Sequence, residues 1–263
     1  HSLDALMTQK PGQPWVVAQL EQWFLRQAAS LPALRDWLSR VLHGDFGGGL
    51  IFCQSWAWAY MRRIWPPLTP LGRTLAPLDG EGLRMLLSHP DDPESVPLQF
   101  RSAQSGETLL DIPLDAESAV SSELKILAHR ARGHAGYALH EWRSRLRDVP
   151  DQSERQSELA ADTDATRRTI WVANRQAATL PASVLSEPCL LTLHALLQHD
   201  GLGDDLLPRV LPLTSAHLRE ALTLLTQAGI VRMTSRQQWQ LTPTRYPEVR
   251  AALFSRGYLA DDF

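Results

Sequence analysis

The chain has 263 residues, of which 44% are hydrophobic and 21% charged, and nine tryptophans, which is typical of a folded globular protein and excludes a disordered or fibrous one. This length exceeds the usual size of one domain, roughly 100–200 residues, so two or three compact units are expected. A net charge of −3 provides no general attraction to nucleic acid or anionic membranes, so any such contact must be local.

The cysteines and the apolar runs favour a reducing, aqueous compartment. Only Cys53 and Cys189 are present, whereas a disulfide framework needs more cysteines at regular spacings. The most apolar run, residues 49–61, is shorter than the about 20 residues that a membrane-spanning helix needs. We therefore expect a cytoplasmic protein without membrane insertion. Because the sequence begins with His1 and a helical pattern, we also expect a piece of a longer protein, with part of the function upstream.

The N-terminal third alternates strand and helix patterns. Residues 15–18 are apolar and follow a proline-rich break, which predicts a buried strand. Apolar residues at helical spacing predict a helix over residues 31–43, closed by Gly44. A second short strand is predicted at 50–53, and a further helix at 55–65, before two prolines. This order favours a parallel sheet with helices on both faces.

The middle of the chain is less regular. A short helix is predicted at 81–87, and a hairpin from strands at 97–101 and 108–112. Residues 119–146 are strongly helical in pattern, with interruptions at two glycines, and residues 150–168 have the polar composition of a linker or loop.

The C-terminal part has the clearest pattern. Three helices are predicted between residues 187 and 229, followed by strands at 230–234 and 239–242. Three helices and a two-stranded wing are typical of a winged helix, a variant of the helix-turn-helix. The predicted division is therefore an α/β core at 1–118, a helical lid with a polar linker at 119–185, and a winged-helix domain at 186–263.

Taken together, this order resembles the AAA+ superfamily of P-loop ATPases, especially its branch related to origin-recognition initiators. Residues 15–25 look like the strand of the Walker B motif, whose carboxylates hold Mg²⁺ and polarise the attacking water. Ala18, Gln19 and Leu20 stand where an Asp-Glu pair is expected, so the motif is degenerate. Glu21 is the nearest carboxylate, and the resemblance makes it the candidate catalytic residue.

Two further segments resemble nucleotide-sensing elements of that superfamily. Residues 50–55 look like the strand that ends in the sensor-one residue, which would be Gln54 or Ser55. Residues 128–146 look like the lid helix that supplies the sensor-two arginine. Gly136 occupies the arginine's place, which leaves Arg143, or Arg145, as the candidate on this helix.

The sequence contains no Gly-x-x-x-x-Gly-Lys-Ser/Thr loop, whose backbone N–H groups and lysine would cradle phosphates. The resemblance therefore implies that ATP and Mg²⁺ bind only with an upstream part. No cofactor is expected on this piece, which alone is predicted to be inactive as an ATPase. A metal site is not predicted either, because the histidine spacings of five and six from His129 to His140 do not suit two zinc ligands on one helix.

Two functions from different classes remain open. The first is a nucleotide-regulated switch or assembly protein whose winged helix contacts a protein partner or its own upstream domain. The alternative is a DNA-binding replication, transposition or transcription factor that uses Arg219, Arg232 and Arg236. Residues 187–263 contain seven arginines and eight carboxylates, a net charge of −1, which disfavours the neutralisation of phosphates. An active ATPase, a third possibility, requires both the upstream loop and Glu21.

Overall fold

The computed structural model describes residues 13–68, 72–74, 76–88, 98–110, 120–132, 134–149, 168–174 and 179–261. Within these ranges the protein is mixed α/β, with nine α-helices and three small sheets. The chain divides into two compact units. The first combines the stretch up to residue 73 with the stretch from residue 179 onward, and the second covers residues 74–178.

The first unit begins with an alternation of strands and helices. These elements are β1 (Trp15–Val17), α1 (Leu31–His43), β2 (Gly49–Ile51) and α2 (Ser55–Ile64). The two strands are parallel, and their register pairs Trp15 with Gly49. The N–H of Phe52 donates to the carbonyl of Val17 at 2.8 Å, which continues the pairing past the strand ends.

Among the described residues, one face of this sheet is covered by a helix and the other is exposed. Val17 packs into a core with Leu34, Trp37 and Leu38 of α1, the apolar face that the helical spacing predicts. Gly44 ends α1 in the left-handed conformation, φ 81°, which a glycine adopts at no steric cost. On the opposite face Val16 is 62% exposed.

The second unit combines three helices with a three-stranded sheet. Its elements are α3 (Gly80–Ser88), β3 (Leu98–Ser102), α4 (Ser122–Ala131), α5 (Ala135–Arg145), β4 (Leu146–Arg147) and β5 (Arg168–Val172). The strand order is β3-β5-β4, in which β3 is parallel and β4 antiparallel to β5. Leucines of α3 and α4, with Trp142 of α5, fill the core of this unit.

The C-terminal part of the first unit is helical with one hairpin. It contains α6 (Glu187–His199), α7 (Leu207–Val210), α8 (Ser215–Gln227), β6 (Val231–Met233), β7 (Trp239–Leu241) and α9 (Tyr246–Ser255). The antiparallel strands β6 and β7 pair Met233 with Trp239. Thr214 caps α8, since its hydroxyl accepts from the N–H of His217.

Several predicted elements differ in detail from the observed ones. The predicted hairpin is reduced to a single antiparallel bridge between Arg101 and Thr108, and its last residues lie outside the described ranges. The helical pattern of 119–146 forms two helices because α4 ends where Arg132 adopts φ 45°. Of the predicted polar linker, only Arg168 is described, and it begins β5. Helix α9 follows the predicted wing and was not expected.

The compact units also group the chain differently from the predicted division at residues 118 and 185. Residues 13–73 belong with 179–261 because they share a hydrophobic core. Trp56 of α2 is buried in that core, to which leucines of α6 and α8 also belong. In the part of the chain that the structure describes, no helix is long and apolar enough to cross a membrane.

Candidate functional site

The candidate catalytic residue and a candidate sensor residue meet at the carboxyl ends of β1 and β2. After β1, Gln19 adopts a left-handed conformation, φ 58°, and the chain enters a 3₁₀ turn at Leu20–Gln22. This turn directs Glu21 toward the end of β2, where the N–H of Gln54 donates to its Oε2 at 3.0 Å. Glu21 is only 1% exposed. The two sequence-predicted residues are thus direct neighbours.

The environment of Glu21 favours its protonated form. Burial raises the pKa of this carboxyl above its ordinary value, and the nearby charge of Asp200 acts in the same direction. The hydrogen bond from Gln54 opposes this shift without cancelling it. Burial also raises the pKa of the Cys53 thiol, with a further contribution from Glu21. A carboxyl group in this setting can take up and release a proton closer to neutrality than an exposed one.

His199 of α6 joins the Glu21 turn to the C-terminal helices. Its Nδ1 lies 3.2 Å from the carbonyl oxygen of Glu21, and its Nε2 lies 3.4 Å from the N–H of Arg26. Because a carbonyl only accepts and an N–H only donates, the ring is neutral with its proton on Nδ1. Burial lowers the pKa of His199 to about 4, which keeps this arrangement intact at neutral pH.

A second neutral histidine holds the side chain of Arg26. The guanidinium of Arg26 donates to Nδ1 of His194 at 3.1 Å and to Oε1 of Gln198 at 2.8 Å. On its other side, His194 donates from Nε2 to the carbonyl oxygen of Leu259 at 2.9 Å. Burial lowers the pKa of His194 to about 4. Arg26 therefore links the turn after β1 to α6 and, through His194, to the C-terminal segment.

Ser55, the other sensor-one candidate, binds the C-terminal segment. Its hydroxyl donates to Oδ2 of Asp261 at 3.0 Å. Asp261 also accepts from the hydroxyl of Tyr246 at 2.8 Å and from Nε of Arg250 at 2.6 Å. Trp56 in turn donates to the Tyr246 oxygen at 3.1 Å, and burial raises the pKa of Tyr246 to about 12. The start of α2 is thereby fixed to residues near the end of the chain.

The remaining nucleotide-sensing candidate lies in the other compact unit. Arg143 is exposed on α5, as is Gly136, the position at which the sensor-two arginine was expected. Arg145, on the same helix, is buried and forms an ion pair with Glu141 at 2.9 Å. Of these two arginines, only Arg143 has its side chain exposed to solvent.

The three arginines predicted to contact DNA occupy different settings in the first unit. Arg219 is exposed on α8, and its Nε donates to the carbonyl oxygen of Ser215 at 3.2 Å. Arg232 is exposed on β6. Arg236 lies in the turn between β6 and β7 and lines, together with Glu21, a cavity of about 460 Å³. The structure thus brings one of these arginines to the candidate catalytic residue.

Four residues of this site were not found by sequence reasoning: Arg26, His194, His199 and Asp261. A signal for two of them was present, because α6 is otherwise rich in leucine and its polar residues lie in an apolar helix. Buried polar groups need partners, so such residues indicate a specific contact. Arg26 and Asp261 lie in short segments without helical or strand periodicity and carry no comparable signal.

No family model, curated protein or solved structure matches this chain. Among the described residues, no group of three or more His, Cys, Asp or Glu side chains is arranged to hold a metal ion.

Proposed function

We propose that this chain is part of an AAA+-like, nucleotide-regulated switch or assembly protein. In this proposal, residues outside the sequence grip the phosphates of ATP with Mg²⁺, and Glu21 and Gln54 respond to the nucleotide. Residues 119–146 act as the lid, with Arg143 as its nucleotide-sensing residue. The C-terminal helices and hairpin act as a winged helix that transmits the change to a protein partner. The hydrogen bond between Gln54 and Glu21 at the ends of two parallel strands is the main support.

The uncovered face of the β1–β2 sheet is a second support. Parallel sheets normally have both faces covered by helices, and two strands alone make a marginal sheet. Three large apolar side chains are more than half exposed on or beside this face: Val16, Leu50 and Phe52. Such a patch is expected where further strands and helices of a nucleotide-binding core pack.

The polar contacts of α6 provide a physical route for the switch. A nucleotide that moves the Glu21 turn changes the bond to His199, and Arg26 extends the effect to His194. A ligand shifts such an equilibrium only by binding one arrangement more tightly than the other. These hydrogen bonds join the Glu21 turn directly to α6. A small displacement at Glu21 therefore changes the position of α6.

The charges around α8 favour a protein partner over DNA. The exposed face of α8 borders a groove that is also lined by Asp204 and Trp239. Asp204 accepts a hydrogen bond from Trp239 Nε1 at 2.6 Å, so this carboxylate is fixed at the groove. A fixed negative charge beside the candidate recognition helix opposes phosphate binding.

In this proposal, the chain alone does not hydrolyse ATP, since the residues that bind the phosphates lie outside it. The protein is proposed to be cytoplasmic. Both cysteines are free, Cys53 half-buried and Cys189 buried, which suits a reducing compartment.

Limited proteolysis of the full-length protein, with and without ATP and Mg²⁺, tests the proposal. We expect the nucleotide to change the cleavage pattern within residues 13–73 and 179–261. The Glu21→Gln variant should change this response, whereas the matched Glu220→Gln variant, altered at an exposed position on α8, should respond as the wild type does. A wild-type cleavage pattern that is identical with and without nucleotide would overturn the proposal.

DNA binding is the second candidate, and the exposure of Arg219, Arg232 and Arg236 favours it. If it holds, duplex DNA binds at low salt, and each arginine-to-alanine change weakens binding and reduces its salt dependence. Fluorescence anisotropy with a labelled duplex decides the question. An absence of binding at low salt rejects this class.

A further inference from the structure

The cavity beside Glu21 has the size and construction of a small-molecule site. Its volume of about 460 Å³ lies within the roughly 300–1,000 Å³ of known ligand pockets. Phe24, Leu25, Leu202 and Leu206 provide apolar lining, while Gln22, Gln238 and Arg236 provide hydrogen-bonding groups. We call it the Glu21 cavity. All of these residues belong to the first compact unit.

The loop after α6 forms one wall of the Glu21 cavity, and hydrogen bonds to β7 hold this loop in place. Leu202 and Trp239 exchange two backbone hydrogen bonds, of 3.1 and 2.8 Å. Gly201 adopts φ +108°, and a Cβ there would lie 2.6 Å from Cγ of Gln240. The Gln240 amide also donates to the carbonyl oxygen of Asp200 at 2.8 Å. A wall with this many fixed contacts is preformed, which lowers the cost of binding a ligand.

Arg236 supplies the accessible charge of the Glu21 cavity. It forms no hydrogen bond or ion pair with any residue of the described ranges. Its turn is fixed, because the N–H of Thr234 donates to Gln238 at 2.9 Å and Gln237 adopts φ 55°. Glu21 is 1% exposed and accepts from the N–H of Gln54, and both ring nitrogens of His199 are engaged, so Arg236 is the exposed charged side chain among the lining residues. The cavity therefore suits an anion.

We propose that the Glu21 cavity binds a nucleoside monophosphate, with the phosphate at Arg236 and the base against the apolar lining. Leu25 and Leu206 are partly exposed and line the cavity, so they offer a base an apolar surface. The amides of Gln22 and Gln238 donate and accept, as the edge of a base requires. A guanidinium pairs with phosphate through its planar fork of donors. The site needs no phosphate-binding loop, and it shares Glu21 with the function proposed above.

Isothermal titration of this chain with AMP, in buffer without Mg²⁺, tests the assignment. We expect AMP to bind, and adenosine and inorganic phosphate to bind at least about tenfold more weakly, because each lacks one half of the ligand. Arg236→Ala should reduce AMP affinity at least about tenfold. Arg232→Ala is the matched control: it removes another exposed arginine of the same hairpin, outside the cavity lining, and should leave binding unchanged.

Each other outcome overturns the assignment. Absence of AMP binding rejects the site, and equal binding of phosphate alone rejects the role of the base. Equal loss in Arg232→Ala and Arg236→Ala indicates diffuse electrostatic attraction of the kind that DNA binding uses. Arg236 is exposed, so its replacement should leave the fold unchanged, and thermal unfolding of both variants verifies this. A negative result here leaves the nucleotide-dependent proteolysis of the full-length protein unaffected, so the two proposals fail separately.

Discussion

The carboxylate of Glu21 accepts a hydrogen bond of 3.0 Å from the main-chain N–H of Gln54, which lies 33 residues further along the chain. This bond joins the ends of two parallel strands on the side where open α/β sheets bind their ligands. The backbone of Glu21 is also bonded to His199. One residue thus contacts both the sheet edge and α6.

The raised pKa of Glu21 leads to a prediction for its glutamine variant. Between the ordinary value of 4.5 and the raised pKa of the folded state, the unfolded chain has released this proton while the folded protein retains it, so folding becomes less favourable as pH rises through this window. Glutamine does not titrate, and its carbonyl still accepts from Gln54. We expect Glu21→Gln to gain stability relative to the wild type as pH rises from 4.5 through the raised pKa of Glu21. Denaturant unfolding at several pH values measures this gain. A difference in unfolding free energy that stays constant with pH contradicts the prediction.

The two buried histidines predict a loss of stability in mild acid. The pKa of each is lowered from 6.5 to about 4. Below pH 6.5 the unfolded chain binds protons that the folded protein excludes, so stability falls until about pH 4, by up to about 3 kcal/mol per histidine. His199→Gln should make this decline shallower, whereas His217→Gln, at an exposed position, should not. Denaturant unfolding between pH 6.5 and 4 measures how the free energy of unfolding changes with pH. The prediction is wrong if His199→Gln and the wild type lose stability equally with falling pH.

Replacement of Asp261, near the end of the described chain, is expected to reduce the stability of the protein strongly. It is 7% exposed and bonds Arg250, Tyr246 and Ser55. Asp261→Ala leaves Arg250, whose side chain is only 12% exposed, without its ion-pair partner, which we expect to cost about 3–5 kcal/mol of unfolding free energy.

The control for Asp261 is Asp148→Ala. The Asp148 side chain is 84% exposed, and its pair with Arg168 spans 3.6 Å. We expect this change to cost less than about 1 kcal/mol. Similar losses in the two variants, measured by thermal unfolding, would mean that the C-terminal segment is not anchored through Asp261.

Two adjacent glycines test the β1–β2 pairing. A Cβ at Gly49 would lie 2.2 Å from the Trp15 ring, whereas a Cβ at Gly48 would meet no atom within 4 Å. We expect Gly49→Ala to destabilise the protein by about 1–3 kcal/mol, since overpacking displaces Trp15 from its place against Trp37. Gly48→Ala should be close to neutral. The comparison is made by denaturant unfolding, and the pairing is wrong if both variants behave alike.

The local elements of the first unit were largely predictable from sequence. The strand at 15–18, the helix closed by Gly44 and the helix from Ser55 follow from apolar spacing and helix-ending residues, which act within a few positions. The helical pattern of 119–146 was expected to be interrupted at Gly133 and Gly136; α4 ends at Ala131, before the left-handed Arg132, whereas Gly136 lies inside α5.

Contacts that decide the site were beyond sequence reasoning. Arg26 and His194 are 168 residues apart, and Ser55 and Asp261 are 206 apart. Such pairs have no periodicity, and even a polar residue in an apolar helix, as His194 is, indicates a contact without identifying its partner. Glu21 was found through a family resemblance, whereas its bonds to Gln54 and His199 emerge only when the chain is folded.

Hydrogen exchange of the full-length protein, with and without ATP and Mg²⁺, tests most directly whether the nucleotide signal passes from Glu21 to the C-terminal helices. The proposal predicts altered exchange at residues 17–25 and 49–55, and also at residues 194–202 of α6 and its following loop. Exchange that is unchanged by the nucleotide, or changed at the sheet edge without any change in α6, would contradict it.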